Sequence, residues 1–599
     1  MNHGTPVTLF LALSLAGNAL GAQTAPAERR YHVDFARFAW PTPEAERRDR
    51  STVDTLFARI HRLVTTPPRA APALRRLLRL ADSAAMLVGW HATYWHLRSS
   101  LDTRYREGVL VEDSLNRALD AALTPVSRQV AAVDSAQLRL FLATDPALAR
   151  YRPFIDGARR EQSSPPWQQR TGALAAVATS WQFALYERVL DASDFGTVVG
   201  PSGPLDVRRG WYVLQASPDS AVRAEAFDKL YAGYAKQRDL LSFALVETVR
   251  AQQEVARLAG FPDRPSQAYR SRGLTTDEVR ALIAAVRARG DIMRRFETAD
   301  AAARRATAGT AAPNLTLDQA TAAMVQTFGS LGPVFQRPAA ALFDPTGGRL
   351  EIGGGEHVRT GGFSFVLRDD VSGVYLDHFG GTPAEVSRLM HESGHALHRT
   401  LFLETAPSHL QGPALSEAVA LFGEILLAER LANDATTPAA AIAWRRQFLT
   451  KMLEVFYGAK DAELEQAVYD SVTAGTIATA DGFDRLTRAV DSAYTTERRP
   501  AAAGRWMRAQ LLFEDPLYLS NYLYSGLICL ELYREHRSDP ASFAPRYLRF
   551  LRDAQGGSPK EIIARDFGVR LDDPSVLASG FASLDSVVGS FEAEVARSP

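Results

Sequence analysis

The string His391-Glu392-Ser393-Gly394-His395 is where residue types and spacing first promise chemistry. Two imidazoles four residues apart on a helix lie one turn apart on one face, so both can reach a single metal ion. Glu392 is rotated by about 100° from His391 and can address a metal-bound water in place of the metal. This HExxH pattern is the signature of a metal site with a glutamate base. A tetrahedral catalytic zinc also needs a third protein ligand and an open position. Residues 415–429 (LSEAVALFGEILLAE) read as a helix carrying Glu417 and Glu424 seven residues apart, nearly two turns, on one face. Among Val419, Leu421, Phe422, Ile425 and Leu426 they would face an apolar interior, where solvated acids are rare. That assigns Glu417 as the third ligand and Glu424 as the carboxylate that orients a ligand imidazole from behind. Half of the twelve histidines fall between His357 and His409. His398, one turn beyond His395, reads as a structural group or a second support for the ligands. His357 and His409 read as loop or strand residues, and His378 has the better claim to touch substrate.

These groups need elements to hold them. Thr382-Pro383-Ala384-Glu385 reads as a capping box, with Thr at the N-cap, Pro at the first helical position and Glu two residues further. The helix it starts carries Val386, Leu389, Met390 and Leu397 and runs to about Leu401. Ahead of it the chain changes character. Gly353-Gly354-Gly355, Gly361 and Gly362 punctuate the short runs 363–367 (FSFVL) and 373–379 (GVYLDHF). These predict a small β-sheet beside the HExxH helix, and it is the only β-region the sequence predicts. A peptide is expected to pair with the strand near 373–379 by strand addition, with Gly361 and Gly362 allowing close backbone approach. Elsewhere three- and four-residue apolar spacing predicts helices over 52–64, 73–90, 167–190, 220–258, 275–289 and 540–551. Breaks fall at 161–166, 304–314 and 499–504. The predicted fold is mainly α, with an N-terminal helical region (23–200), a second helical region (201–340) and a catalytic region (341–599).

Composition bounds the rest. The chain has 599 residues, 46% of them hydrophobic, enough for a large core. Lys plus Arg and Asp plus Glu are both 68, so no overall field favours nucleic acid or an anionic membrane. Only five of the 68 basic residues are Lys, which reads as coding bias. A single cysteine, Cys529, excludes an intrachain disulfide and any zinc site built from several thiolates, and it reads as a small buried hydrophobe. Residues 7–17 (VTLFLALSLAG) have the length of a signal-peptide core, with cleavage expected near Ala22. Residues 1–22 are thus expected to be a signal peptide, and the mature protein periplasmic or extracellular. The n-region lacks Lys and Arg, and no cysteine lies near enough for a lipoprotein anchor. No later segment reaches about 18 consecutive apolar residues, so no membrane anchor is expected. Nothing in the sequence addresses oligomeric state.

The sequence resembles the thimet oligopeptidase family of zinc metallopeptidases, which includes oligoendopeptidase F and the bacterial dipeptidyl carboxypeptidases. HESGHALH fits an extended HExGHxxH pattern, including Gly394 and His398. SEAVALFGE fits the following glutamate helix, and Phe379-Gly380-Gly381-Thr382 with Val386 fits the segment ahead of the motif. Tyr522-Leu523-Tyr524-Ser525, with Leu530-Glu531-Leu532-Tyr533 behind it, is similar to the family's tyrosine-bearing helix. The resemblance is specific from Gly353 to Tyr533. It implies a two-lobed helical protein with a deep channel that admits short unfolded peptides, and one Zn2+ on its floor held by His391, His395 and Glu417. It implies Glu392 as the base and Tyr522 as the transition-state hydroxyl, with Tyr518 or Tyr524 assisting. Two departures stand out. Residues 508–516 (RAQLLFEDP) contain no histidine where the family has one, and Ser393 replaces a bulkier apolar residue. The expected reaction is peptide-bond hydrolysis in short oligopeptides. Removal of C-terminal dipeptides is the alternative, with Arg359 as the cation for the substrate carboxylate. An inactive peptide-binding protein is a further alternative, to which retention of the base Glu392 is opposed.

Overall fold

The structure is a computed structural model that describes residues 31–162, 181–200, 203–208, 210–217, 219–271, 273–307, 310, 313–354, 357–405, 408–410, 415–553 and 557–597. The expected signal peptide (1–22) and most of the expected 161–166 break lie outside the described residues. The protein is mainly α. The N-terminal helices Pro43–Leu63, Ala71–Leu101 and Arg106–Ala131 pack on one another around Leu74, Leu78, Val88 and Leu119. That core also takes in Phe363, Phe365, Leu367 and Tyr375. A second core draws on residues from Tyr31 to Val595 and takes in Val374 and Leu376. Successive strand residues point to opposite faces, so one small sheet contributes alternate side chains to two cores and forms the seam between them.

The sheet has strands β3 (Leu350–Ile352), β4 (Gly362–Leu367) and β5 (Val371–Leu376), in the order β3-β5-β4. It follows a hairpin of β1 (Thr197–Gly200) and β2 (Gly203–Asp206), which the sequence reading missed because neither short strand carries an apolar alternation. β5 pairs parallel with β3 and antiparallel with β4. This corrects the expectation that substrate adds to the strand near 373–379, because both edges of β5 are taken. The outer side of β3 takes Ile352 N–H onto Tyr31 O at 3.3 Å, and among the described residues no strand pairs with the outer edge of β4. Asp377 N–H donates to Gly361 O at 2.9 Å, so Gly361 and Asp377 are a bonded pair opposite each other. By the antiparallel alternation, Gly362, Ser364 and Val366 then turn their N–H and C=O groups away from β5.

The HExxH helix spans Pro383–Leu403 and opens with the expected capping box: Thr382 Oγ1 accepts from Glu385 N–H, and Glu385 Oε2 accepts from Thr382 N–H at 3.0 Å. The glutamate helix spans Ser416–Asn433 and is entered through Leu415 at φ 57°, a left-handed conformation strained for a leucine. The two helices cross at Gly394, where an added Cβ would lie 2.8 Å from Ala420 Cα. Only glycine lets the backbones approach this closely, and the approach brings the two motifs into one site. The tyrosine helix, Ser520–Ser538, packs behind them, with Cys529 buried as expected and its Sγ 3.0 Å from Ala418 O. The helix expected over 220–258 breaks at residues 236–237 into Ser220–Ala235 and Arg238–Leu258. Residues 540–551 are helical as predicted, whereas Pro500–Gly504 forms a short 3-10 helix within the expected break. Among the described residues no helix is long and apolar enough to cross a membrane.

Candidate metal centre

His391 and His395 project from one face of the HExxH helix, and their Nε2 atoms stand 3.1 Å apart. Glu417 Oε2 lies 3.4 Å from His391 Nε2 and 3.9 Å from His395 Nε2. Among the described residues, these three form the group of His, Cys, Asp or Glu side chains whose ligand atoms converge as a metal site requires. The opposite ring nitrogens are both engaged. His391 Nδ1 faces Glu424 Oε1 at 2.8 Å, and His395 Nδ1 faces Ser416 Oγ at 2.8 Å. A donor held at Nδ1 turns the lone pair of Nε2 towards the convergence point. This set of two imidazoles and one carboxylate fits a divalent transition metal, and fits zinc with an open position best.

Glu392 follows His391 on the helix, about 100° further round. Its side chain is 4% exposed, and Oε2 is buried with no hydrogen-bond partner among the described residues. Burial pushes its carboxyl up to about 7, against the opposing pull of His391. An added Cβ on Gly362 would lie 3.3 Å from Glu392 Cγ, so the base sits directly behind the free edge of β4. Gly361, at φ 100°, makes the turn into that edge. Tyr522 is half-buried on the tyrosine helix and lies in the electrostatic field of Glu417, Glu454 and Glu392. Burial, reinforced by Glu417, holds its hydroxyl well above the usual tyrosine range. Tyr518 packs edge-on against it, with ring centroids 5.8 Å apart.

Three expected contacts are placed differently, and His398 takes the structural one of its two expected roles. Tyr524 is two residues from Tyr522, hence about 200° around the helix, and its charged neighbours are Glu278 and Asp572. It does not assist Tyr522. His398 is 1% exposed, stacks on Phe550 at 6.3 Å, and its Nδ1 has no hydrogen-bond partner among the described residues, so its visible contacts are packing ones. Phe379 is buried in the larger core. His378 has both ring nitrogens taken, Nδ1 by Asp377 Oδ1 at 3.0 Å and Nε2 by Glu385 Oε1 at 3.1 Å. The ring opposes burial with these two acids and is raised to about 9, so it is a cation in a structural clamp. Arg388 Nη2 completes the clamp, 2.9 Å from Asp377 Oδ1. Arg359 is half-buried, with Nη1 on His96 Nε2 at 2.5 Å and the guanidinium over the Phe363 ring at 5.4 Å; His96 Nδ1 in turn faces Glu112 at 3.0 Å.

Three supporting residues escaped the sequence reading. Ser416 precedes Glu417 in the quoted motif, so adjacency was the available signal. Ser387 lies one turn before His391 and hydrogen-bonds Glu424 Oε2. Lys451 Nζ meets the same oxygen at 2.8 Å from a helix further along the chain, and nothing local announces it.

No family model matches the chain, and no curated protein matches it. Solved structures do. A protein described as a peptidase of Chlamydophila abortus superposes with TM-score 0.72 at 17% identity, over 88% of this chain and 91% of that one. The oligoendopeptidase F of Enterococcus faecium gives 0.64 at 14% identity, over 92% and 98%. A carboxypeptidase of Pyrococcus furiosus gives 0.52 at 12% identity, over 85% and 99%. Over nearly its whole length, the chain has the mainly α fold of the oligoendopeptidase structures.

Proposed function

We propose that the protein is a zinc metallopeptidase of the oligoendopeptidase type, hydrolysing peptide bonds in short peptides. The observation that supports this most is the convergence of His391 Nε2, His395 Nε2 and Glu417 Oε2 beside the unpartnered Glu392 carboxylate, on an oligoendopeptidase fold. Zinc, when held by those three side chains, would supply Lewis-acid polarisation of the scissile carbonyl and acidify water. The chain's own groups do the rest. The edge of β4 at Gly362, Ser364 and Val366 pairs with the extended substrate and sets the scissile bond against Glu392. Glu392 takes the proton of the attacking water and later delivers it to the leaving amine, and its buried oxygen has no hydrogen-bond partner among the described residues to compete for that proton. Tyr522 keeps its proton, because burial and Glu417 disfavour the phenolate, and donates it as a hydrogen bond to the developing oxyanion. The exopeptidase form of the same activity draws on Arg359, whose half-buried guanidinium lies three residues before Gly362. The apolar run at 7–17 supports export as the setting.

Wild type and Glu392→Gln, compared side by side, test this reading. Each is assayed for bound zinc and for cleavage of an internally quenched nonapeptide, with products weighed by mass spectrometry. One zinc in both proteins and cutting by wild type alone is the expected result. Internal cuts then mark an endopeptidase, and released C-terminal dipeptides an exopeptidase. A wild type that holds no zinc, or holds it and cuts none of a diverse peptide set, overturns the proposal.

A further inference from the structure

Glu424 is 1% exposed and is met from three directions. His391 Nδ1 faces Oε1 at 2.8 Å. Ser387 Oγ and Lys451 Nζ both meet Oε2, the ammonium at 2.8 Å. Lys451 comes from the helix Pro438–Met452 and is one of only five lysines in a chain with 68 basic residues. The geometry explains why a lysine serves here. Oε1 is committed to the histidine, so one oxygen is left for a cation, and a compact ammonium fits one oxygen where the planar fork of Arg seeks two. The surroundings are strongly acidic. Glu392, Glu417 and Glu424 are joined by Glu454, which lies in the field of both Lys451 and Glu424. Without a cation at Oε2, the buried Glu424 carboxylate would carry an uncompensated charge among these acids and lose the anchor that holds Oε1 on His391 Nδ1.

We infer that Lys451 is a positioning residue for the metal centre: its ammonium pins Glu424 Oε2, so that Oε1 stays on His391 Nδ1 and Glu424 supports a ligand without becoming one. This rests on the metallopeptidase reading above. It makes zinc affinity depend on a side chain that touches neither the metal ligands nor the substrate edge.

The test uses the full chain as wild type, Lys451→Met, Glu424→Gln and the double variant. Zinc dissociation constants come from competition with a chromophoric chelator. The hydrogen bond of His391 Nδ1–H in the zinc-loaded protein comes from proton–nitrogen NMR, a signal that a merely structural role would not move. Lys451→Met is expected to weaken zinc about 10–100-fold and to shift the His391 Nδ1–H proton resonance as its bond to Glu424 loosens. The double variant is expected to bind no more weakly than Glu424→Gln, since Lys451 acts through Glu424. Zinc affinity in Lys451→Met within about twofold of wild type overturns the inference. So does a further loss of about tenfold on adding Lys451→Met to Glu424→Gln. That second comparison removes both buried charges together and decides the matter even if Lys451→Met alone does not fold. A wild type without zinc sinks the metallopeptidase reading and this inference with it, whereas a zinc-binding wild type indifferent to Lys451→Met sinks this inference alone.

Discussion

Two histidine–glutamate pairs among the described residues, His91–Glu46 and His391–Glu424, have nearly equal geometry, and only one of them belongs to a candidate site. In the N-terminal helical layer, His91 Nδ1 faces Glu46 Oε1 at 2.7 Å, with both side chains fully buried. At the metal centre, His391 Nδ1 faces Glu424 Oε1 at 2.8 Å. What differs is the other end of each group. His91 Nε2 and Glu46 Oε2 have no partner among the described residues, and Trp40 stacks on the imidazole at 4.2 Å. His391 Nε2 meets His395 Nε2 and Glu417 Oε2, and Glu424 Oε2 meets Ser387 and Lys451. A histidine with a carboxylate behind it is therefore a common way to bury both groups. It becomes a candidate centre when the second nitrogen converges with other ligand atoms.

The strongest way to break that contrast is to cut one residue on each side. Glu417→Gln is expected to lose zinc on dialysis, while His91→Gln keeps one zinc per chain, both read by elemental analysis. Zinc loss in His91→Gln would erase the distinction. Next in size is the hydroxyl opposite the base. Tyr522→Phe is expected to lower kcat by about 10²–10³-fold with zinc content unchanged, as for loss of one oxyanion donor. Tyr524→Phe, on the other face of the helix, should stay near wild type in the same steady-state assay. A third comparison is thermodynamic. Glu46→Gln is expected to cost about 1–3 kcal/mol in denaturant unfolding, because it weakens a buried hydrogen bond, and to leave zinc affinity alone. Glu424→Gln should instead show its effect in zinc affinity.

The smallest expected effect concerns a third arrangement, in which His378 gives both ring nitrogens to acids. Its ring is raised from 6.5 to about 9, so its contribution to stability is complete below pH 6.5 and is lost as pH rises through 9. Glu385, lowered from 4.5 to about 2, contributes above pH 4.5 and loses its share as pH falls through 2. Thermal unfolding of His378→Asn is expected to flatten the decline between pH 6.5 and 9. An unchanged slope would show that the clamp does not hold the charge.

Much of the centre could be read from spacing. A spacing of four from His391 to His395, and of seven from Glu417 to Glu424, each places two groups on one helical face whatever the rest of the fold does. The capping box at Thr382 and Glu385 sets where the HExxH helix begins for the same local reason. The small sheet showed in its runs and glycines, but its strand order did not. Strand order decides which edges are taken, and it puts β5 between two neighbours, so a strand near residues 373–379 has no edge to offer. The sequence left Tyr524 as a helper to Tyr522, and only the tertiary structure separates them, with Tyr522 in the field of Glu417 and Glu392 and Tyr524 near Glu278 and Asp572. Ser387 and Lys451 reach Glu424 from 37 residues before it and from a separate helix after it. Spacing along one element determines which side chains share a face. Which faces meet is set by the burial of two cores and the close crossing at Gly394, and no local pattern carries that information.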